Sequence, residues 1–296
     1  MISYFQAIVI GLIQGVTELF PISSLGHSVL VPAWLGWDKI VTAQSAGESF
    51  YLAFVVALHV ATAIALLIYF REDWIRIISG FFRTLRTRKL ETADERMAWL
   101  LIIATIPAGL LGLIFEHSLR TLFAKPLAAA IFLTINGVIL AAGEWVRRRA
   151  AVREIVATHA KADSSGEEGR RLDTLEVKEA VAVGVAQVAA LFAGISRSGI
   201  TMVAGLVRGL DHEDAVRFSF LLATPIILAA GVYKVPDLLG KLGDGVRGQA
   251  LVGAVFAGIA AFISVRFLVR FFQSRNLLPF AIYCLIAGGI SIIRFA

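Results

Sequence analysis

Between Gln14 and His27 an otherwise apolar run gathers Gln14, Glu18, Ser23, Ser24 and His27. These supply a carboxylate, two hydroxyls and an imidazole, the groups that attack phosphorus or move protons. At membrane depth each costs several kcal/mol unless it is paired or hydrated, so a chain that keeps them there uses them. Gln14 and Glu18, four apart, share one helix face. Pro21 ends that helix and Gly26 permits a tight bend, so Ser23, Ser24 and His27 project from a loop or helix end just past the break. His27 can serve as nucleophile or general acid/base, or activate a neighbouring serine. Glu18 can orient His27, act as base, or hold a divalent cation with Gln14.

A second polar break, Gly194-Ile-Ser196-Arg197-Ser198-Gly199, has a different character. Small flexible residues let successive backbone N–H groups face one anion, and a following helix N-terminus adds positive potential. Arg197 brings a forked donor suited to phosphate oxygens, and an arginine at membrane depth requires an anionic partner. Set against each other, the two breaks make a phosphoryl-transfer site: cradle, clamp, nucleophile and acid/base. The apolar setting favours a substrate with a lipid tail and a phosphate head.

The elements that must position these groups are membrane helices. Of 296 residues, 58% are hydrophobic and 17% charged, against roughly 25% charged in a soluble domain; mean hydropathy is +0.79. The apolar segments come at helical lengths rather than as the short alternating strands of a β-barrel. The net charge of +6 sits in Lys and Arg between apolar segments, where topology accounts for it better than nucleic-acid binding. Cys284 is the single cysteine, which excludes an intrachain disulfide. The N-terminus lacks a basic leader region and a cleavage site and is read as mature chain.

In order, residues 2–20 are too short and polar for a plain span and read as a re-entrant helix. Residues 28–48, with Trp34, Trp37, Asp38 and Lys39, read as an interfacial connection. Spans are expected at 50–70, 97–115, 127–146, 218–233, 248–268 and 279–295. His59, in the first span, reads as an interhelical polar contact ahead of a site residue. Residues 71–96 form a basic segment, 116–126 a short link, and 147–178 a solvated loop. Residues 179–207 form the second broken segment. Asp211-x-x-Asp214 marks a helix N-terminus, a cap and dipole partner rather than a metal site.

A broken segment followed by three spans thus occurs twice. A shift of 173 lays Gly11 on Gly184, Gln14 on Gln187, Ser23 on Ser196 and Gly26 on Gly199. Three spans per half turn the second half upside down, so the pattern predicts an inverted-topology repeat. The fold expected is an all-α polytopic membrane protein, six transmembrane helices plus two re-entrant helical hairpins. It forms a single integral membrane domain: repeat one about 1–146, a cytoplasmic linker 147–178, and repeat two about 179–296. Placing 71–96 and 147–178 in the cytoplasm satisfies the positive-inside rule and faces both termini outward.

These residues are recognisable. Gln14-Gly-Val-Thr-Glu18-Leu-Phe-Pro21-Ile-Ser-Ser-Leu-Gly26-His27 resembles the first signature of the undecaprenyl-diphosphate phosphatase family, the bacitracin-resistance proteins. Ala193-Gly-Ile-Ser196-Arg197-Ser198-Gly199 is similar to its second, and Phe218 to Pro225 and Leu278 to Tyr283 extend the likeness. The resemblance implies removal of the terminal phosphate from a C55 isoprenyl diphosphate, recycling the lipid carrier of peptidoglycan synthesis. It also implies catalytic roles for Glu18, Ser24, His27 and Arg197, substrate contacts from Ser23, Gly194, Ser196, Ser198 and Gly199, and a divalent cation, Mg²⁺ or Ca²⁺, at Gln14 and Glu18. The expected setting is the bacterial inner membrane with the site open to the outer side, and a homodimer is the candidate assembly. Three positions depart from the family pattern: Gln14 carries no charge, Leu25 stands where many members have Thr, and Ala193 replaces a Pro. Serine and histidine both remain open as nucleophile. The main alternative is a transporter or flippase for a lipid phosphate or another anion, and a structural subunit is the third reading.

Overall fold

The computed structural model describes residues 2–37, 40, 50–123, 125–159 and 172–296, and among these every regular element is helical. Helix α1 (Tyr4–Thr17) opens on a capping box between Ser3 and Gln6, and α2 is Ser24–Trp34. Helix α3 (Phe50–Tyr69) leads into α4 (Arg71–Thr87), α5 (Ala93–Phe123) and α6 (Pro126–His159). After a 3₁₀ turn at Leu172–Thr174 come α7 (Val177–Ala186), a second 3₁₀ turn at Gln187–Leu191, and α8 (Arg197–Val207). Helices α9 (His212–Leu239), α10 (Arg247–Phe272) and α11 (Leu278–Phe295) complete the chain.

Among the described residues, six helices are long and apolar enough to cross a membrane: α3, α5 over Ala93–Phe115, α6 over Pro126–Ala150, α9, α10 and α11. Each matches one expected span, α3 ending at Tyr69, one residue short of the expected 50–70. Their outer faces carry exposed aliphatic residues at helical spacing, such as Leu251, Val255, Ile259 and Ile263 on α10. A water-soluble protein does not expose such stripes; lipid covers them. Inside, Phe54, Leu58, Leu133, Leu140, Met202, Phe218 and Phe220 are buried. Burial from lipid gives helices little hydrophobic drive to associate, so close approach and polar contacts matter more. Gly11 and Gly15 show this: a Cβ on either would run into the backbone carbonyl of Gly253 or Ala257, so α1 lies directly against α10.

Several boundaries differ from those expected. The segment from 28 is not an interfacial connection at its start; α2 runs through it to Trp34 with Val29, Leu30 and Pro32 buried. Pro32 has no N–H for the carbonyl four residues back, and the Tyr51 hydroxyl donates to that carbonyl, on Ser28, at 3.1 Å. Asp38 and Lys39 lie outside the described residues. The basic segment 71–96 contains a helix, α4, with Glu72 and Asp73 in its first turn and Ile77, Gly80 and Thr84 buried. Helix α5 continues to Phe123 through most of the expected link, and α6 continues to His159 into the expected loop. Residues 160–171 of that loop lie outside the described residues. Asp211 does cap α9, accepting from Asp214 N at 2.7 Å.

Candidate active site

Two breaks in helical backbone meet in the interior. In the first, Pro21 follows the end of α1, and Ser23 caps α2 with Oγ accepting from Gly26 N at 3.2 Å. Ser23 adopts φ 70° and ψ 101°, a conformation a non-glycine residue holds only where its surroundings impose it. In the second break Ser196 caps α8, Oγ accepting from Gly199 N at 3.1 Å. Gly194 has φ +115°, and a Cβ there would lie 2.7 Å from Leu133 N and Phe132 Cβ.

The breaks are tied to each other by backbone groups. Gly194 N donates to Ser23 Oγ at 3.1 Å, and Ser198 Oγ donates to Phe20 O at 3.3 Å. A Cβ on Gly26 would meet Gly194 Cα at 2.9 Å, so the two loops touch main chain to main chain. Asn136, fully buried on α6, bridges both: Nδ2 donates to Pro21 O at 2.9 Å and Oδ1 accepts from Ser196 N at 2.9 Å. In the sequence Asn136 is only a polar position within the apolar run 127–146.

Glu18 is the hub. Its Oε1 accepts from Arg197 at 2.8 Å. Its Oε2 takes the Ser24 hydroxyl at 2.5 Å, Gln14 Nε2 at 3.1 Å and His59 Nε2 at 3.1 Å. Glu18 is 6% exposed, and a carboxylate that deep is tolerable only when its lone pairs are occupied, as these are. His59 is therefore not simply a contact between spans; it is a direct partner of the site carboxylate, which corrects the expectation for it. Its other nitrogen, Nδ1, faces Val55 O at 2.8 Å. The rule that an ionisable group inside a membrane marks function was the signal that would have found it.

His27 stands apart from this hub. Its Nδ1 lies 2.7 Å from Ser23 O and its Nε2 2.8 Å from the Tyr283 hydroxyl. A carbonyl oxygen only accepts, so Nδ1 carries the proton, and in the neutral ring Nε2 presents a lone pair. Ser24 is bonded to Glu18 rather than to His27, so the geometry makes a Ser24–Glu18 pair and not a serine–histidine pair.

The serine side chains among the residues expected to contact substrate are committed within the protein. Ser23 and Ser196 cap helices, Ser198 bonds to Phe20 O, and Gly199 N is taken by Ser196. Leu25 is partly exposed at the start of α2, and Ala193 is buried. Gln14 Oε1 is buried and has no hydrogen-bond partner. An unclaimed amide oxygen beside a carboxylate fits a hard divalent cation, which takes oxygen ligands. Among the described residues no three His, Cys, Asp or Glu side chains converge, so most of such a cation's ligands would come from substrate and water.

Among the described residues, six helices long and apolar enough to cross a membrane, with an arginine–glutamate pair joining two helix starts, are the layout of a polytopic membrane protein. The chain belongs to a known family of that kind: the bacitracin resistance protein BacA family, whose model matches residues 7–290. It is 54% identical to undecaprenyl-diphosphatase 2 of Frankia alni over 100% of this chain and 98% of that protein. It is 56% identical to an undecaprenyl-diphosphatase of Mycolicibacterium paratuberculosis with the same coverage, and 46% identical to one of Granulibacter bethesdensis over 96% and 94%.

Proposed function

We propose that this chain is an undecaprenyl-diphosphate phosphatase, hydrolysing the C55 isoprenyl diphosphate to its monophosphate and inorganic phosphate. Family membership and relatives of that name over the full chain support this reading over a transporter or flippase. The observation that carries the chemistry is the pair between Arg197 of one break and Glu18 of the other at 2.8 Å, with Ser24 on the same carboxylate and His27 one turn further along α2.

The terminal phosphate enters at the starts of α2 and α8, where two helix N-termini favour negative charge. Arg197 clamps its oxygens. The loops holding Ser23, Gly194, Ser196, Ser198 and Gly199 form the walls of this cradle. His27 Nε2 attacks the terminal phosphorus and the bond from that phosphorus to the bridging oxygen breaks. The bond's electron pair leaves on the lipid monophosphate. Water then attacks the phosphohistidine, its oxygen joins the phosphoryl group, and inorganic phosphate departs; the water's protons remain on that phosphate and its surroundings. Glu18 holds Arg197 and Ser24 in register. The bond from Ser24 to Glu18 favours one second reading, in which Ser24 attacks and Glu18 takes its proton. A divalent cation, Mg²⁺ or Ca²⁺, would be held by Gln14 Oε1 and, with a donor on its Oε2 displaced, by Glu18 together with the diphosphate, and would neutralise charge on the leaving group.

The two halves are read as an inverted repeat with re-entrant hairpins, repeat one about 1–146 and repeat two about 179–296. Packing supports it. Helix α1 lies on α10 through Gly11, as α7 lies on α5 through Gly184, whose Cβ would overlap the carbonyl of Ala104. The equivalent spans α3 and α9 pack on each other, as do α6 and α11. The basic α4 and Arg147, Arg148 and Arg149 favour the cytoplasmic side, which leaves the site open outward from a bacterial inner membrane. A homodimer is the proposed assembly.

Purified in detergent, the wild type should release inorganic phosphate from C55 diphosphate, more with Mg²⁺ or Ca²⁺, and His27→Ala should release none while melting normally. Phosphate retained but substrate moved across sealed vesicles would establish the transporter instead. A trapped phosphoenzyme that is acid-labile and base-stable marks histidine; the opposite marks Ser24.

A further inference from the structure

Tyr283 lies on α11, far along the chain from either break, and belongs to neither signature. Its ring stacks on His27 with centroids 5.7 Å apart and planes 15° apart. Its hydroxyl reaches Nε2 at 2.8 Å. Because Nδ1–H is committed to the Ser23 carbonyl, the hydroxyl donates and Nε2 accepts. The next residue, Cys284, is buried against Asn136, whose Nδ2 lies 3.3 Å from its sulfur. The helix turn carrying Tyr283 is thereby fixed to the residue that bridges the two breaks.

The tyrosine thus addresses the one nitrogen of His27 that has an available lone pair. A phosphorus about to bond that nitrogen must stand about 3–3.5 Å away, in line with the same lone pair. Hydroxyl and phosphorus cannot share it. Tyr283 is 43% exposed, so its side chain is not enclosed by protein on every side. The acceptors nearest the displaced hydroxyl are then the nonbridging oxygens of the phosphoryl group itself.

We propose that Tyr283 is a further catalytic residue: its hydroxyl orients Nε2 of His27 and, as the phosphoryl group arrives, transfers its hydrogen bond to a nonbridging oxygen. The hydroxyl keeps its proton throughout, so it adds nothing to the balance of bonds and charges in the transfer. Such a donor strengthens as charge collects on the transferring group, which makes its contribution one to turnover more than to binding. The inference rests on the phosphatase reading with His27 as nucleophile.

Tyr283→Phe removes one oxygen and keeps the stacked ring, so the variant should melt like the wild type. With C55 diphosphate we expect kcat to fall about 10–100-fold, approaching the loss of one oxyanion donor, with KM within about threefold. Carbethoxylation by diethyl pyrocarbonate, mapped by mass spectrometry, reads the contact without turnover: His27 should react several-fold faster in Tyr283→Phe. A kcat within twofold of wild type overturns the donor role. An unchanged His27 labelling rate overturns the contact itself, and this holds in any variant that melts normally. Should wild type release no phosphate, the phosphatase reading fails, while the labelling still decides whether Tyr283 covers His27.

Discussion

The two breaks use one backbone device for opposite purposes. In each, a serine caps the following helix by accepting from the N–H three residues on, Ser23 from Gly26 and Ser196 from Gly199. In each, a glutamine stands nine residues before that serine, Gln14 and Gln187. The first break then carries Glu18, Ser24 and His27; the second carries Leu191, Arg197 and Ile200 at the corresponding places. One loop holds the carboxylate, hydroxyl and imidazole, and the other holds the guanidinium that pairs with that carboxylate. Neither alone is complete: without Arg197, Glu18 loses the partner of its Oε1 and keeps only the contacts on Oε2, and without Glu18 the Arg197 guanidinium loses its carboxylate.

That division can be broken at its strongest point first. Arg197→Ala removes the clamp and leaves Glu18 with its Oε2 contacts alone, and should lower kcat/KM about 10²–10³-fold, a loss of about 3–4 kcal/mol of transition-state stabilisation. Phosphate release measures it, and thermal melting in detergent should show destabilisation as well. Gly26→Ala comes next. Its Cβ would press on Gly194 Cα at 2.9 Å, backbone that cannot rotate away, so the loops must part. The expected cost is about 1–3 kcal/mol of stability, read as a lower melting temperature, with a smaller loss of turnover. The gentlest test sharpens the contrast between the glutamines. Both polar atoms of Gln187 are buried without a partner, and no carboxylate stands four residues on. Gln187→Leu should leave activity unchanged and raise stability by about 1 kcal/mol, whereas Gln14→Leu should reduce activity. Equal effects at the two positions would mean that the halves are not divided as described.

Much of this arrangement was readable in the sequence because buried polar groups are rare enough in a membrane to stand out. Glu18, Ser24, His27 and Arg197 announced themselves that way, and three of them do share one hub. The six spans were legible from length and hydropathy. Helix ends were not: α5 and α6 run on past their apolar stretches, because backbone hydrogen bonding continues where hydropathy stops. The course of α2 through Pro32 depends on a hydroxyl from Tyr51, a residue on another helix, and no local pattern signals that. Asn136, His59 and Tyr283 lie on spans far from the breaks. Their roles follow from which helix faces which, a tertiary fact. Each was visible as a polar position in an apolar run, but not as a partner of Pro21 and Ser196, of Glu18, or of His27.

If the two breaks act as one site, they do so through the pair between Glu18 and Arg197. The most direct measurement is a double-mutant cycle on phosphate release from C55 diphosphate, with Glu18→Gln, Arg197→Gln and the double variant. Groups acting as a unit give a double variant no worse than the more damaged single one. Losses that multiply would show that the two residues work independently, and the shared site would have to be abandoned.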